Sequence, residues 1–140
     1  MSEAVFDASV TTRWFVEDDV LHRQCLSARE VYDGIAPSLI LAETANALWR
    51  YVRLDRLSID AACAAIGYVN EEVAQVEDVD LVRASQRLGH ALDHPVSDCL
   101  YVALALRLGV PLVTADLKLA RKFGSHPGLV IRAIAVGIQQ

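Results

Sequence analysis

The sequence predicts an α/β fold with a central, mostly parallel sheet whose two faces are covered by helices. Short apolar runs, such as residues 4–6 and 111–114, alternate along the chain with segments of helical character, and this alternation is typical of parallel sheets. No internal repeat, low-complexity tract or Gly/Ser-rich linker interrupts the 140 residues, an ordinary length for one domain. We therefore expect a single domain over residues 1–140.

In the first half of the chain, one buried strand is followed mainly by helices. Asp33-Gly34 is a turn signal, and Ser38 can N-cap the long helix that follows. Ser58 or Asp60 can open the next helix after a break at residues 55–57. The predicted strands are residues 4–6 and 35–37, and the predicted helices are residues 11–15, 21–32, 39–53 and 59–72.

In the second half of the chain, helices and short strands alternate more regularly. Asp80 is predicted to cap one helix and Ser97 another, with a break at Asp93-His94-Pro95 between them and Gly109 at the end of the second. The helix capped by Asp80 is expected to end at residue 91. The two later helices are expected to span residues 98–108 and 117–123. The strands are expected within residues 73–79 and at residues 111–114 and 129–131.

The overall charge argues against one simple class of nucleic-acid-binding protein. Lys and Arg number 13 and Asp and Glu number 18, which gives a net charge of −5. Proteins that hold nucleic acid by charge alone are usually basic, whereas a nuclease that recruits a divalent cation can be acidic. The hydrophobic share of 54% further suggests that some surface is covered in a dimer or by a partner.

The sequence favours a cytoplasmic location. The longest apolar runs, such as residues 99–106, fall short of the roughly 18 residues that a spanning helix needs. The first residues contain neither a basic segment nor a cleavable apolar one, so no signal peptide is indicated. The three cysteines are widely spaced and form no Cys-x-x-Cys pair, which favours small buried side chains in a reducing compartment over disulfides or zinc.

Four carboxylates occupy positions where an acid is costly unless it is used. Asp7 and Asp116 each follow an apolar strand, and sites in parallel sheets form beyond the carboxyl ends of strands. Asp98 opens a helix that is otherwise almost wholly apolar, and Glu43 lies within the apolar stretch 39–45. Simpler roles remain open for each: helix N-caps for the first two, a helix-dipole contact for Asp98 and a solvated face for Glu43.

Together the acids indicate a metal site. Converging carboxylates repel one another unless a cation lies between them. Mg²⁺ prefers oxygen ligands, and it usually takes one or two carboxylates with waters and substrate phosphate. Sites of this kind hydrolyse phosphodiesters by activating water and stabilising the leaving oxygen. The acids therefore favour a metal-dependent nuclease.

The motifs that carry these acids resemble those of PIN domains. The matching segments are Val5-Phe6-Asp7-Ala8-Ser9, Pro37-Ser38 followed by Glu43-Thr44-Ala45-Asn46-Ala47-Leu48, the run Asp98 to Ala105, and Thr114-Ala115-Asp116. They extend in order over about residues 4–134, and they are most similar to those of VapC toxins from bacterial toxin–antitoxin pairs. The resemblance implies a Rossmann-like three-layer α/β/α fold and a Mg²⁺- or Mn²⁺-dependent endoribonuclease. It also implies a homodimer and a cognate antitoxin that blocks the active site.

The resemblance also implies roles for individual residues. Asp7, Asp98 and Asp116 would hold the ion that positions the phosphate and a water, and Glu43 would orient or deprotonate that water. Cleavage would leave a 5′-phosphate and a 3′-hydroxyl. Ser9 and Thr114 match the hydroxyl positions that support the acids by hydrogen bonding. Some relatives carry a further acid just after the fourth motif, where this chain has residues 117–119 without one, so we expect one firmly held ion and a second that arrives with substrate.

Several other side chains are candidates for contacts with RNA. Asn46 and Arg50 follow Glu43 by three and seven residues, on one helical face, and could lead into the cleft or simply face solvent. Basic clusters could hold RNA backbone or be solvated; they are Arg50, Arg53 and Arg56, and Lys118, Arg121 and Lys122.

The remaining conspicuous residues have structural interpretations. We expect the aromatic rings to pack in the core or a dimer interface rather than on bases; they are Trp14, Phe15 and Trp49. Residues 17–19 are interpreted as a solvated acidic loop before a helix. His90 and His94 have the spacing of a metal pair, but His94 precedes Pro95, which disfavours helical geometry there.

Two other classes of protein remain as alternatives. A haloacid-dehalogenase-type phosphatase needs a second Asp two residues after the first, where this chain has Ser9, and a response-regulator receiver needs a late-strand Lys that residues 110–114 lack. The other alternative is a PIN-like module kept only for binding, although such copies normally lose one or more of the acids. The sequence identifies neither the RNA that is cut nor the antitoxin.

Overall fold

Five strands form one parallel sheet in the order β3-β2-β1-β4-β5. The computed structural model describes residues 1–136, so the end of the predicted domain at residue 140 lies outside the described residues. The strands are β1 Ser2–Phe6, β2 Tyr32–Pro37, β3 Ala74–Val76, β4 Leu112–Thr114 and β5 Ile131–Ala133. The chain passes through a helix between successive strands, and the predicted α/β class with a parallel sheet flanked by helices is confirmed.

Seven helices connect the strands within residues 1–136: α1 Ala8–Arg13, α2 His22–Val31, α3 Leu39–Arg53, α4 Ile59–Glu72, α5 Val79–Leu92, α6 Val96–Leu108 and α7 Leu117–Phe123. Ser58 caps α4 by accepting a hydrogen bond from the backbone N–H of Ala61 at 3.1 Å, as predicted. Gly109 ends α6 in the left-handed conformation at φ 66°, which glycine adopts without strain. None of the helices in this range combines the length and apolarity that crossing a bilayer requires.

The core is built around β1 and α6. The last three residues of β1 are at most 1% exposed, because this strand is paired on both edges. Helix α6 is buried over most of its length and packs against β1, β2 and β4. An apolar helix of this kind belongs between a sheet and other helices, and its position brings Asp98 in its first turn towards the sheet.

Several predicted boundaries are wrong by two or three residues, for two helices because another residue makes the cap. Helix α1 begins at Ala8 rather than at residue 11, since Asp7 caps it. Helix α5 is capped by Asp78, whose Oδ1 accepts from the N–H of Leu81 at 2.7 Å, and not by Asp80. Helix α6 starts at Val96, so the predicted cap Ser97 lies in its first turn. The last strand is β5 rather than residues 129–131.

The turn predicted at Asp33-Gly34 is wrong, because both residues lie inside β2. Gly34 pairs with Ala4 of β1. A Cβ atom on Gly34 would lie 2.7 Å from two ring atoms of Phe6. Glycine is therefore required here because a core aromatic ring lies close to the backbone. Close approach of another group is a common reason for glycine inside a strand.

We predict that Gly34→Ala destabilises the fold by about 1–3 kcal/mol, the usual cost of overpacking, because Phe6 must move. Gly67→Ala is the matched control: Gly67 lies within α4 and a Cβ there meets nothing within 4 Å, so this change should stabilise by about 0.5–1 kcal/mol. Urea unfolding of both variants measures the difference. Equal effects of the two substitutions would contradict this account of Gly34.

Candidate active site

A cavity of about 540 Å³ brings the four predicted acids together. It lies beyond the carboxyl ends of β1 and β4, where Asp7 and Asp116 follow their strands. Asp98 and Glu43 reach it from α6 and α3, and the predicted RNA contacts Asn46 and Arg50 line it as well. The complete lining is Asp7, Ala8, Ser9, Thr12, Arg13, Glu43, Asn46, Ala47, Arg50, Tyr51, Leu54, Arg56, Asp98, Tyr101 and Asp116.

Asp7 is the most buried of the four acids, at 7% exposed. Its Oδ1 accepts hydrogen bonds from the Ser9 hydroxyl and from the Ser9 N–H, the latter at 3.1 Å. Its Oδ2 accepts from Thr114 Oγ1 at 2.5 Å. Asp7 is thus both the N-cap of α1 and a cavity residue, so the two roles considered for it do not exclude each other. Ser9 and Thr114 make the supporting contacts expected of them.

The two hydroxyl groups also fix the backbone that carries the fourth acid. Ser9 Oγ accepts from the N–H of Ala115 at 2.8 Å, and Thr114 Oγ1 accepts from the N–H of Asp116 at 3.0 Å. Asp116 caps α7 through Oδ1, which accepts from the N–H groups of Lys118 and Leu119 at 3.0 and 3.2 Å. Among residues 1–136, its Oδ2 has no hydrogen-bond partner and remains available to a ligand.

Glu43 is held by a tyrosine that the sequence analysis did not single out. Tyr101 lies one helical turn after Asp98, is 2% exposed, and donates from its hydroxyl to Glu43 Oε1 at 2.5 Å. A buried tyrosine hydroxyl needs a partner, so a tyrosine in an otherwise apolar helix was the available signal. This contact leaves Glu43 Oε2 without a partner among the described residues.

His94, which the sequence analysis considered only as one of a metal-binding pair, contacts an acid of the site. Its Nε2 lies 2.9 Å from Asp98 Oδ2, and its ring packs edge-on against Phe123 with the centroids 5.1 Å apart. His90 contacts Gln86 at 2.7 Å instead, so the two histidines do not point to a common ligand. The contact holds Oδ2 of Asp98, and Oδ1 has no hydrogen-bond partner within residues 1–136.

The acids form two interacting pairs. Burial raises the pKa of Asp7 to about 6; the hydrogen bonds from Ser9 and Thr114 oppose this, and the charge of Asp116 adds to it. Burial likewise raises the pKa of Glu43, against the hydrogen bond from Tyr101 and together with the charge of Asp98. Repulsion between carboxylates is therefore present at this site, and a bound cation would relieve it.

The donor set suits a hard divalent cation. All four side chains offer carboxylate oxygens, which Mg²⁺ and Mn²⁺ prefer. No three His, Cys, Asp or Glu side chains within residues 1–136 are grouped closely enough to enclose an ion by themselves. Mg²⁺ does not need such a cage, because waters and substrate oxygens commonly complete its octahedron. Asp7, Asp98 and Asp116 would have to bind an ion in this way, with few direct carboxylate contacts and with water or substrate oxygens as the remaining ligands.

Three arginines line the same cavity. Arg13 donates to the Ser9 carbonyl oxygen at 2.8 Å and to Asp19 at 3.2 Å, and Arg56 pairs with Asp18 at 2.7 Å. Arg50 has no such partner in the described part of the chain. The acidic loop at residues 17–19 is thus not merely solvated, as expected from the sequence, because two of its carboxylates pair with cavity arginines.

Other predicted contacts lie elsewhere. Arg53 and the α7 cluster Lys118, Arg121 and Lys122 do not line the cavity. Trp14 packs in the core as expected, and its Nε1–H donates to the Cys25 carbonyl oxygen at 2.8 Å. Phe15 packs edge-on against Trp14. Trp49 is 53% exposed, so core packing is the wrong interpretation for it, and an interface role stays a prediction.

The raised pKa of Asp7 predicts a pH-dependent stability. The folded chain binds this proton more tightly than the unfolded chain does, since the pKa rises from 3.8 to about 6. The stability contributed by protonated Asp7 is therefore complete below pH about 4 and is lost as the pH rises through about 6.

In chelator, we predict that Asp7→Asn raises the free energy of unfolding at pH 7 by up to about 3 kcal/mol, because asparagine keeps the N-cap without a charge. The gain should vanish near pH 4. Asp60→Asn makes the same chemical change at an exposed first-turn acid of α4 and is the control. Denaturant unfolding across this pH range measures both, and an Asp7→Asn effect that does not change with pH would contradict the assignment.

Comparison with known proteins places the chain in a family. The structure is similar to that of the protein PAE2754 from Pyrobaculum aerophilum, at 25% identity over 93% of this chain and 90% of that one, with a TM-score of 0.67. It is also similar to Mycobacterium tuberculosis VapC20, a sarcin-ricin loop cleaving toxin, at 17% identity over 85% and 94% and a TM-score of 0.71. DNA-bound VapBC from Salmonella typhimurium matches at 15% identity over 96% and 100% and a TM-score of 0.67. No curated protein sequence matches. The PIN domain family model matches residues 4–123, and the chain therefore belongs to the PIN domain family.

Proposed function

We propose that the protein is a Mg²⁺- or Mn²⁺-dependent endoribonuclease and the toxin of a toxin–antitoxin pair. The observation that carries the proposal is the arrangement of four carboxylates around one cavity at the carboxyl end of a parallel sheet. The family membership supports a nuclease. A structural relative is a toxin that cleaves the sarcin-ricin loop, and another is a toxin–antitoxin complex, which supports the biological role.

The chain's own acids divide the work of hydrolysis between three that would hold the ion and one that would act on the water. Asp7, Asp98 and Asp116 would hold the ion, which when bound would lower the pKa of a water and neutralise charge on the phosphate. Ser9 and Thr114 keep Asp7 in one orientation, so the carboxylate does not have to reorganise during the reaction.

Glu43 is suited to orient the attacking water and to accept its proton. One of its oxygens is fixed by Tyr101 while the other has no hydrogen-bond partner among residues 1–136, and its pKa is raised by burial. A base works best when its pKa approaches the working pH. The products would be a 5′-phosphate and a 3′-hydroxyl.

The remaining cavity residues are suited to hold the RNA strand. Asn46 and Arg50 follow Glu43 on the same face of α3 and also line the cavity. The guanidinium of Arg50 is available to a phosphate, since no acid within residues 1–136 pairs with it. Contacts of this type fix the register of the strand and carry little sequence information.

We further propose a homodimer, a cognate antitoxin and a cytoplasmic location. Large apolar side chains are exposed within residues 1–136, among them Leu54 at 65%, which lines the cavity, Ile59 at 68% and Trp49 at 53%. Exposed apolar surface is a common feature of protein interfaces. The solved toxin–antitoxin complexes among the structural relatives support an antitoxin as the partner.

Asp98→Asn should abolish RNA cleavage while the fold persists. We expect the rate with Mn²⁺ to fall by about 100-fold or more, as when one group that stabilises transition-state charge is removed. Asp60→Asn makes the same chemical change in the first turn of α4, outside the cavity, and should leave the rate unchanged.

The assay is gel analysis of labelled bulk cellular RNA, with circular dichroism of each variant to check folding. Cleavage by Asp98→Asn as fast as by the wild type would contradict the assignment of this acid. A folded wild type that cuts no RNA with Mg²⁺ or Mn²⁺ would support a PIN-like module kept only for binding.

A further inference from the structure

One wall of the cavity holds an arginine that already binds an oxyanion, supplied by the chain itself. Arg56 follows α3, and Asp18 lies in the loop between α1 and α2. Arg56 Nη2 donates to Asp18 Oδ1 at 2.7 Å, and Nε donates to Oδ2 at 3.1 Å. The contact is therefore bidentate, which is the strongest and most directional way for a guanidinium to hold an anion.

The guanidinium is held in place independently of Asp18. Its Cζ lies 4.9 Å from the ring centroid of Tyr51, and Tyr51 lines the same cavity. Stacking on an aromatic face fixes the plane of an arginine and leaves its N–H edge for a ligand. The binding fork is thus formed before any external anion arrives.

Asp18 can be displaced easily. The side chain of Asp18 is 65% exposed and that of Arg56 is 36% exposed, and ion pairs in such positions contribute little net stability. A phosphate group offers the same two oxygens at similar spacing, and arginine binds it in the same bidentate way. An RNA phosphate in the cavity would therefore compete directly with the Asp18 carboxylate.

The other two cavity arginines differ from Arg56 in this respect. Arg13 is more buried and is tied to the Ser9 carbonyl oxygen as well as to Asp19, so it serves the structure of α1. Arg50 has no acid bound in the described residues and thus no preformed oxyanion site. Only Arg56 among these three combines cavity position, aromatic support and an exchangeable acid.

We infer that Arg56, supported by Tyr51, binds a backbone phosphate flanking the cleaved position of the RNA, and that Asp18 occupies this subsite in the free protein. This inference rests on the proposed ribonuclease function. Asp18 then acts as an internal competitor that lowers the affinity for RNA, and strand binding releases the Asp18 side chain from Arg56.

The test measures RNA affinity in the Asp98→Asn background, which keeps the strand intact. The probe is a short, fluorescently labelled single-stranded RNA of randomised sequence, and the readout is anisotropy over a series of salt concentrations. The test variants are Asp18→Asn, Arg56→Gln, Arg56→Lys and the Asp18→Asn/Arg56→Gln pair. Two controls match the charge changes: Glu17→Gln removes the adjacent exposed acid, and Arg53→Gln removes an exposed arginine of α3 that stacks on Trp49 outside the cavity.

We expect Asp18→Asn to tighten binding by about two- to fivefold, the size of an exposed ion pair, and Glu17→Gln to tighten it less. Arg56→Gln should weaken binding and lower the salt slope by about 0.7, the value for one lost phosphate contact on a single strand. Arg56→Lys should restore binding only in part, because lysine lacks the fork. Asp18→Asn should have no effect once Arg56 is replaced.

The inference is overturned if Asp18→Asn and Glu17→Gln tighten binding equally, or if Asp18→Asn still acts in the Arg56→Gln protein. It is also overturned if Arg56→Gln and Arg53→Gln weaken binding alike. Any of these results can be found while the wild type still cleaves RNA. In that case the inference about Arg56 is overturned and the proposed ribonuclease function stands. A wild type that neither binds nor cleaves RNA contradicts the proposed function and overturns the inference with it.

Discussion

The carboxylate of Asp7 receives hydrogen bonds from Ser9 and from Thr114, and three elements meet at this buried charge. Asp7 directly follows β1 and caps α1, and Thr114 ends β4. The same hydroxyl groups accept from the N–H groups of Ala115 and Asp116, so the turn that presents the fourth acid is fixed by the first. Burying this charge is unfavourable, as its pKa of about 6 shows, and the fold maintains it through neutral donors rather than through a basic residue.

Acids and arginines line the same cavity. The carboxylates repel one another and are suited to a divalent cation. Two of the arginines, Arg13 and Arg56, are partly neutralised by Asp19 and Asp18. A chain with a net charge of −5 can therefore accept a polyanion only where a metal and a few cations offset the local charge. Apo protein and metal-bound protein should differ strongly in their affinity for RNA.

The sequence was sufficient for the fold class and for singling out the four acids that line the cavity, because both follow from short-range patterns. Apolar runs mark the strands, Asp7 and Asp116 follow strands, Asp98 lies in the first turn of α6, and Glu43 lies within an apolar stretch of α3. The side-chain contacts between residues that are distant in sequence could not be predicted from these short-range patterns. The pairing of Tyr101 with Glu43 spans 58 residues, that of Asp18 with Arg56 spans 38, and Gly34 resembled a turn residue because its neighbour Phe6 is distant in sequence. Side-chain partners of this kind depend on the packing of whole elements, which periodicity and spacing do not define.

The central claim is that the four acids form a site for a divalent cation, and calorimetric titration of the apo protein with Mn²⁺ tests it most directly. The account predicts that the wild type and Asp60→Asn bind Mn²⁺ alike and that Asp98→Asn loses most of the affinity. Binding should also weaken as the pH falls below about 6, because a protonated Asp7 cannot ligate a metal. A folded wild type that takes up no Mn²⁺, or an Asp98→Asn protein that binds it equally well, would contradict the account.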